Sequence, residues 1–400
     1  MGKFEGGKRL EAKGSARHFC PLPFALRRFP LETASGAERN LVNKIRFPVH
    51  IGFYDTVKKR VNQYFKEQRR PKTGDWRMFL KTSVILAWLA ISYVLLIFFS
   101  ASLVVSIITA FALAQGFVLV GFNMMHDGAH GSYSKSRSIN WLMGFTLDLI
   151  GGSHLLWRQK HNLLHHTYTN IIELDNDLQT SGLLRLSPNQ KRYPWHRFQH
   201  LSAFPLYSLL TLSWVTFNDF VRLFSGRIGD YQLRQPTTSD VLLFFLTKIF
   251  YFVYMVVLPS FFHPVLYVLF AFVGIHLIVG FTLAIVFQSA HIVEGNRFPQ
   301  PDAQTGRIEN EWALHEVETT ANFAPKDKLA AWYLGGLNFQ IEHHLFPRIC
   351  HIHYPAISKI VEQTCREFAI SYTCYPTVWS AVAAHYRFLK VMAAASPHAT

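Results

Sequence analysis

Histidines are the residues in this sequence whose types and spacing could do chemistry. Eight of the 20 histidines occur in the stretches HDGAH, HNLLHH and QIEHH and at the end of an apolar run. Histidines four residues apart, such as His126 and His130, present both imidazoles on one face of a helix. Because imidazole binds zinc, copper, iron and nickel, the pattern predicts a metal site. The eight candidate ligands are His126, His130, His161, His165, His166, His291, His343 and His344.

The number of histidines indicates how many metal ions to expect. A catalytic zinc site uses three protein ligands, so eight imidazoles favour two ions. His276 stands alone inside an apolar run and is interpreted as a packed or hydrogen-bonded residue. The four cysteines form no C-x-x-C pair, which argues against a zinc ribbon or a disulfide scaffold.

Two long apolar runs predict the elements that position these histidines. Residues 82–125 and 249–293 contain no Asp, Glu, Lys or Arg, and only 16% of the chain is charged. As a helix, each run would be about 66 Å long, enough for two crossings of a ~30 Å hydrocarbon core. The predicted fold is therefore an all-α membrane protein with two transmembrane hairpins, capped by a helical cytosolic domain that carries the histidines. The four crossings are predicted at about residues 82–100, 103–125, 241–261 and 264–288.

The distribution of basic residues predicts the orientation in the membrane. Lys and Arg are frequent before the first crossing, and neither hairpin turn contains any. The positive-inside rule therefore places residues 126–240 and 289–390 in the cytosol, where both hairpins return the histidines to one interface. Residues 1–44 are expected to be a flexible basic segment without a signal peptide, and residues 45–390 a single domain.

The three histidine stretches together resemble the histidine boxes of the membrane-bound fatty acid desaturases. HDGAH matches the first box and HNLLHH the second. QIEHH matches the third box in the variant with Gln for the first His, which is typical of the front-end and linoleoyl-CoA desaturase-like branch. The resemblance covers about residues 45–385. It implies a non-haem di-iron centre held by the eight histidines, which introduces a cis double bond into a fatty acyl chain with dioxygen and two external electrons.

Polar residues beside the boxes are further candidates for catalytic roles. Gln340 stands where other branches of the family have His, so it is expected to bind metal weakly or to hold a water, with ordinary packing as the alternative. Asp127, Asn162 and Glu342 adjoin candidate ligands and are expected to orient imidazoles through hydrogen bonds. Local helix capping is the alternative for these three residues.

The resemblance also implies partners. Many front-end members carry a fused cytochrome b5 domain with an H-P-G-G motif, and this sequence has no such motif. We therefore expect a separate electron donor, a ferredoxin or a cytochrome b5 with its reductase. The net charge of +15 fits an acidic donor or anionic membrane lipids equally well, and no nucleic acid is expected. The substrate is expected to be an acyl-CoA or an acyl-lipid, in a bacterial inner membrane or the endoplasmic reticulum.

Three other functions are compatible with parts of the pattern. A sphingolipid long-chain-base desaturase shares the Gln variant of the third box. A histidine-box lipid hydroxylase or ketolase uses the same metal chemistry but inserts oxygen. A membrane cytochrome with bis-histidine haems would place pairs of histidines inside crossings, whereas only His276 lies deep in one.

Overall fold

The computed structural model describes residues 45–48 and 51–394, so the prediction for residues 1–44 lies outside the described residues. Helices dominate this part of the chain. The α-helices are α1 (Phe53–Glu67), α2 (Trp76–Phe98), α3 (Leu103–Leu119), α4 (His126–His130), α5 (Arg137–Leu149), α6 (His154–Arg158), α7 (His166–Tyr168), α8 (Gln199–Ser213), α9 (Asp219–Ser225), α10 (Thr238–Phe252), α11 (Val265–His291), α12 (Trp312–Thr319), α13 (Lys328–Tyr333), α14 (Gln340–Leu345), α15 (Tyr354–Glu367) and α16 (Val378–Ala393).

Shorter elements connect these helices. Wider π-helical turns lie at Val120–Met125, Gln159–His165, Trp214–Asn218 and Val253–Val257, and 3₁₀ turns lie at Asn176–Leu178, Pro194–Phe198, Pro259–Phe261 and His351–His353. Two small ladders complete the described structure: β1 (Arg227–Ile228) pairs antiparallel with β2 (Tyr231–Gln232), and β3 (Asn322–Phe323) pairs parallel with β4 (Cys374–Tyr375).

Within the described residues, four helical segments are long and apolar enough to cross a membrane, which confirms the predicted helical membrane fold. The first of them begins at Trp76 rather than at residue 82. Asp75 caps its N-terminus by accepting a hydrogen bond from the Arg77 backbone N–H. Lys81 is buried within this helix, with its Nζ 3.0 Å from His351 Nε2, so the charge does not end the helix. The segments are Trp76–Phe98, Leu103–His130, Thr238–Phe261 and Val265–His291.

Part of the segment between the two hairpins packs beside the helices that can cross the membrane. Helix α8 packs along α11, and the Thr211 hydroxyl donates a hydrogen bond to the His276 carbonyl, midway along that helix. Gly280 permits this approach, because a Cβ at that position would lie 2.4 Å from the Ser208 carbonyl oxygen. His276 Nε2 lies 2.6 Å from the Tyr251 hydroxyl, in agreement with the structural role that we predicted for this residue.

A layer of short helices covers one end of the hairpins and carries the third histidine box. Helix α1 is amphipathic, and its buried face (Phe53, Val57, Val61 and Phe65) packs in one core with residues of α12, α14 and α15. Helix α16 packs against α8 and α11. This layer brings the stretch QIEHH against the ends of the two hairpins.

Candidate metal centre

The structure brings all eight candidate histidines into one buried cluster. Their side chains are at most 9% exposed, and neighbouring rings are close, with centroids 4.5 Å apart for His126 and His343 and 4.3 Å for His166 and His344. The possible ligand atoms fall into groups in which all atoms lie within 4.8 Å of one another. The four-histidine group is His126, His130, His161 and His343; the three-histidine group is His165, His291 and His344; and His166 joins them through a group that it forms with His343 and His344.

Many of these imidazoles point nitrogens at one another instead of at hydrogen-bond partners. Within the described part of the chain, His130 Nε2, His165 Nε2, His343 Nε2 and His344 Nε2 are buried without a partner, and so are both nitrogens of His291. A buried polar atom left unpaired costs about 1–3 kcal/mol, so such a cluster calls for an explanation. Metal ions would explain the unpaired nitrogens, because a metal ion can accept their lone pairs. The set of donor atoms therefore fits a metal centre.

Wide helical turns position the first two boxes. The π-helical turn Val120–Met125 leads directly into α4, which carries His126 and His130. The π-helical turn Gln159–His165 contains His161 and His165, which contribute to different groups although their ring centroids lie 5.2 Å apart. Such turns are frequent at functional sites, where they change the direction of side chains along a helix. Here the wider turn lets one segment serve both groups.

Three residues outside the boxes contact the Nδ1 atoms of three of the candidate ligands. Glu316 Oε2 lies 2.7 Å from His344 Nδ1, and Asp175 Oδ2 lies 3.1 Å from His165 Nδ1. The Tyr354 hydroxyl lies 3.2 Å from His343 Nδ1. A partner that accepts the Nδ1 proton leaves Nε2 with its lone pair directed at the centre, and makes it a stronger donor.

Sequence reasoning did not find these three residues. Glu316 and Tyr354 lie on helices outside the boxes, and no spacing connects them to a histidine. Asp175 gives a weak signal, because it follows the second box in the short acidic stretch ELDND.

We expected Asp127, Asn162 and Glu342 to orient the candidate ligands. Instead, these residues form hydrogen bonds with other groups. Asp127 Oδ2 lies 2.8 Å from His351 Nδ1 and accepts from the Cys350 thiol at 3.0 Å. Its bonds therefore join the first box to the segment after the third box. The Asn162 amide donates to the carbonyl of Ala129 at 2.9 Å, which joins the second box to the first.

Glu342 likewise anchors its own helix rather than an imidazole. Its carboxylate accepts from the Asn322 amide at 2.7 Å and from the Tyr372 hydroxyl at 2.9 Å. The Asn322 side-chain oxygen also accepts from the Ile341 backbone N–H, so β3 and α14 are held together beside the third box. Burial raises the pKa of Glu342 to about 7.

Gln340 is buried at the start of α14, and its side chain lies against the imidazole of His291. It therefore adjoins the three-histidine group, which has one imidazole fewer than the other.

Burial keeps the site's imidazoles in the form that binds metal. It lowers the pKa of His161, His166, His343 and His344 well below the usual range, and the neighbouring imidazoles lower these pKa values further. These residues are therefore neutral at physiological pH and need not lose a proton before they bind a cation. Burial also raises the pKa of Glu316, whereas a bound cation would favour its ionised form.

The fold and the site define a helical membrane protein with a histidine-lined candidate metal centre, and comparisons with known proteins agree on the family. The model of the family "Fatty acid desaturase" matches residues 101–376. The chain is 41% identical over 344 residues to an acyl-lipid (8-3)-desaturase of Physcomitrium patens, a match that covers 84% of this chain and 71% of that protein.

Cyanobacterial proteins are similar over nearly their whole length. The chain is 36% identical over 352 residues to the sn-1 linoleoyl-lipid 6-desaturase of Arthrospira platensis, which covers 88% of this chain and 95% of that protein. The protein with the same name in Synechocystis is 34% identical over 354 residues, covering 88% and 99%. This chain belongs to the fatty acid desaturase family, and it is an oxidoreductase that desaturates fatty acyl chains.

Proposed function

We propose that this desaturase introduces a cis double bond of the front-end type into an acyl chain carried by a membrane lipid. The observation that carries the proposal is the cluster of buried imidazoles with unpaired nitrogens, at the ends of helices that can cross a membrane. The names of the moss and cyanobacterial relatives, which act on acyl-lipids and linoleoyl-lipids, support a lipid-bound substrate. An acyl-CoA is the alternative substrate, and the experiment below distinguishes the two.

Two irons are the metal ions that this donor set fits best. One would be held by the four-histidine group and the other by the three-histidine group, with His166 between them. Neutral imidazoles suit ferrous ions because they donate electron pairs without adding negative charge. When bound, the irons would supply the reduction of dioxygen that drives hydrogen removal from the acyl chain. The reaction consumes a –CH2–CH2– unit, O2, two electrons and two protons, and yields –CH=CH– and two waters.

The residues around the imidazoles would fix their orientation and exclude water. Glu316, Asp175 and Tyr354 would accept the Nδ1 protons of His344, His165 and His343 respectively. These contacts leave each Nε2 directed into the centre. The low exposure of all eight candidate ligands supports a centre from which bulk water is excluded.

The other polar residues near the boxes would have different roles. We assign to Gln340 a role as a weak ligand, or as the residue that holds a water, at the three-histidine group. Its burial against His291 supports this assignment. Asp127, Asn162 and Glu342 would hold the three boxes together, as their hydrogen bonds indicate.

The desaturase domain would extend over residues 45–390, as part of a multi-pass protein whose active site faces the cytosol. The absence of basic residues from both hairpin turns supports this orientation. The membrane would be a bacterial inner membrane or the endoplasmic reticulum. Electrons would come from a separate ferredoxin, or from a cytochrome b5 with its reductase.

Expression in a host that lacks polyunsaturated acids tests the proposal. Cells are fed one candidate acid at a time, lipid and CoA fractions are sampled over time, and double-bond positions are read by mass spectrometry. We expect a new double bond on the carboxyl side of an existing one, appearing in the lipid fraction first. His343→Ala should abolish the product, whereas His276→Ala should retain activity because that histidine lies outside the metal centre. A product that appears first as acyl-CoA, a hydroxylated product, or a desaturated sphingoid base would each contradict the proposal.

A further inference from the structure

Helix α1 presents a basic face to the outside of the layer that covers the metal centre. Residues 53–72 contain seven Lys or Arg and two acidic residues. Arg60 is paired with Glu367, and Lys72 donates to Asn62, so part of this charge has partners. The side chains of Lys58, Lys59 and Lys66 are exposed, and we call these three lysines the basic face of α1.

The surroundings of this face differ from those of a helix that rests on lipid. A helix at a membrane surface inserts large apolar side chains beside its basic residues. Helix α8 has such side chains, since Leu201, Leu209 and Leu210 are exposed. No large hydrophobic side chain of α1 itself is exposed, and the nearest exposed ones along the chain, Ile51 and Trp76, lie outside the helix. The basic face of α1 therefore suits a soluble, acidic macromolecule better than a bilayer.

A short chain of aromatic residues connects this face to the metal centre. Lys58 Nζ lies 5.6 Å from the centre of the Tyr54 ring. The Tyr54 and Trp312 rings meet edge to face, with centroids 5.5 Å apart. Trp312 Nε1 then donates a hydrogen bond of 3.2 Å to the carbonyl of His166, one of the eight candidate ligands. Two side chains thus bridge the outer surface and a ligand of the centre.

We propose that an acidic one-electron carrier protein docks on the basic face of α1 and delivers electrons through Tyr54 and Trp312 to the metal centre at His166. The inference rests on the proposed function, since each double bond requires two electrons. Two successive encounters with a reduced haem or iron–sulfur carrier supply them, and each encounter oxidises the carrier by one electron. The basic face raises the rate of encounter by attracting the carrier's acidic surface.

Charge reversal on α1 tests the docking surface. The variant Lys58→Glu/Lys59→Glu/Lys66→Glu is compared with Lys135→Glu/Lys191→Glu/Lys390→Glu, which makes the same charge change at exposed lysines elsewhere. Reduced cytochrome b5 soluble domain and reduced plant-type ferredoxin are each mixed anaerobically with the oxidised, iron-loaded protein, and carrier oxidation is followed by absorbance. We expect the α1 variant to slow oxidation by about tenfold or more at low salt, and to lose the salt dependence of the wild type. The control variant should remain within about twofold of the wild type, because none of its lysines belongs to the basic face of α1.

A chemical bypass separates this inference from the proposed function. Both variants are reduced with dithionite and a viologen, mixed with substrate and oxygen, and assayed for product in a single turnover. Equal product from the two variants and the wild type locates the defect in electron delivery. Absence of product from all three, including the wild type, would instead contradict the proposed function.

Several results would overturn the docking inference. One is an α1 variant that oxidises both carriers as fast as the control variant, and another is a wild type that oxidises neither carrier. A third is an α1 variant that keeps its rate with carriers but loses binding to phosphatidylglycerol vesicles, which would make the face a lipid site. For the route, Tyr54→Leu should slow oxidation of the carrier more than Tyr54→Phe, which keeps the ring against Trp312. Equal rates for these two variants would remove Tyr54 from the route.

Discussion

Replacement of Glu316 by Gln tests how buried carboxylates hold the metal centre. Glu316 Oε2 lies 2.7 Å from His344 Nδ1 and 2.8 Å from the Thr169 hydroxyl, and Glu316 and His344 are both fully buried. A glutamine keeps the size of the side chain but removes the negative charge that strengthens His344 as a ligand. Loss of such a partner typically costs about 10- to 100-fold in metal affinity. This range corresponds to about 1.4–2.7 kcal/mol of binding free energy.

The assay is retention of iron against a series of chelator concentrations, with thermal unfolding measured on iron-loaded and iron-free protein. Burial raises the pKa of Glu316 well above its usual value, because the charged carboxylate is costly in this buried place. Removal of that charge by glutamine should therefore cost the iron-free protein little stability. The iron-loaded protein should be destabilised. The matched control is Glu318→Gln on the same helix, whose carboxylate contacts Arg297 and Asn310 instead of a candidate ligand. Iron retention by Glu316→Gln equal to that of Glu318→Gln would refute the reasoning.

Other variants probe the centre, the packing behind it and the response to pH. Gln340→Ala should be nearly inactive while it keeps most of its iron, and His343→Ala should lose iron as well, because an amide is a weaker ligand than an imidazole; iron content and turnover measured on the same preparations check this. Gly128→Ala should lose iron and unfold at a lower temperature, because a Cβ there would lie 2.5 Å from a backbone nitrogen of α5, whereas Gly274→Ala has open space and should unfold like the wild type. Burial lowers the pKa of His385 to about 4. Between about pH 6.5 and pH 4, this residue is therefore neutral in the folded protein but binds a proton in the unfolded chain. Stability should therefore fall by up to about 1.4 kcal/mol per pH unit from this residue as pH drops from about 6.5 to 4, and thermal unfolding of His385→Gln should depend less on pH over that range.

The parts of the fold that could be predicted are those with a local signal. Apolar runs predicted the crossings because a span must be apolar along its whole length. Histidine spacing predicted a shared site because each box lies on one short segment. The helix that contains the first predicted crossing begins at Trp76, before residue 82, because the buried Lys81 is paired with His351 and does not interrupt the helix.

The parts that could not be predicted depend on contacts between distant segments. Glu316 and Tyr354 reach their imidazoles only through the packing of α12, α14 and α15, and no spacing in the sequence encodes that contact. The same packing turns Asp127 toward His351, although it is next to His126 in sequence. The π-helical turns are a second reason. They change the direction of the side chains along a helix, and this change depends on tertiary contacts rather than on a recognisable residue pattern.

The most direct test of the central claim is the metal content of the protein purified anaerobically in detergent, measured with Mössbauer and visible absorption spectra. The eight buried imidazoles predict two non-haem irons per chain and no Soret band. Enrichment with ⁵⁷Fe should give a spectrum that accounts for both irons as histidine-rich sites in one centre. A single zinc per chain, no bound iron, or a haem spectrum would contradict the account.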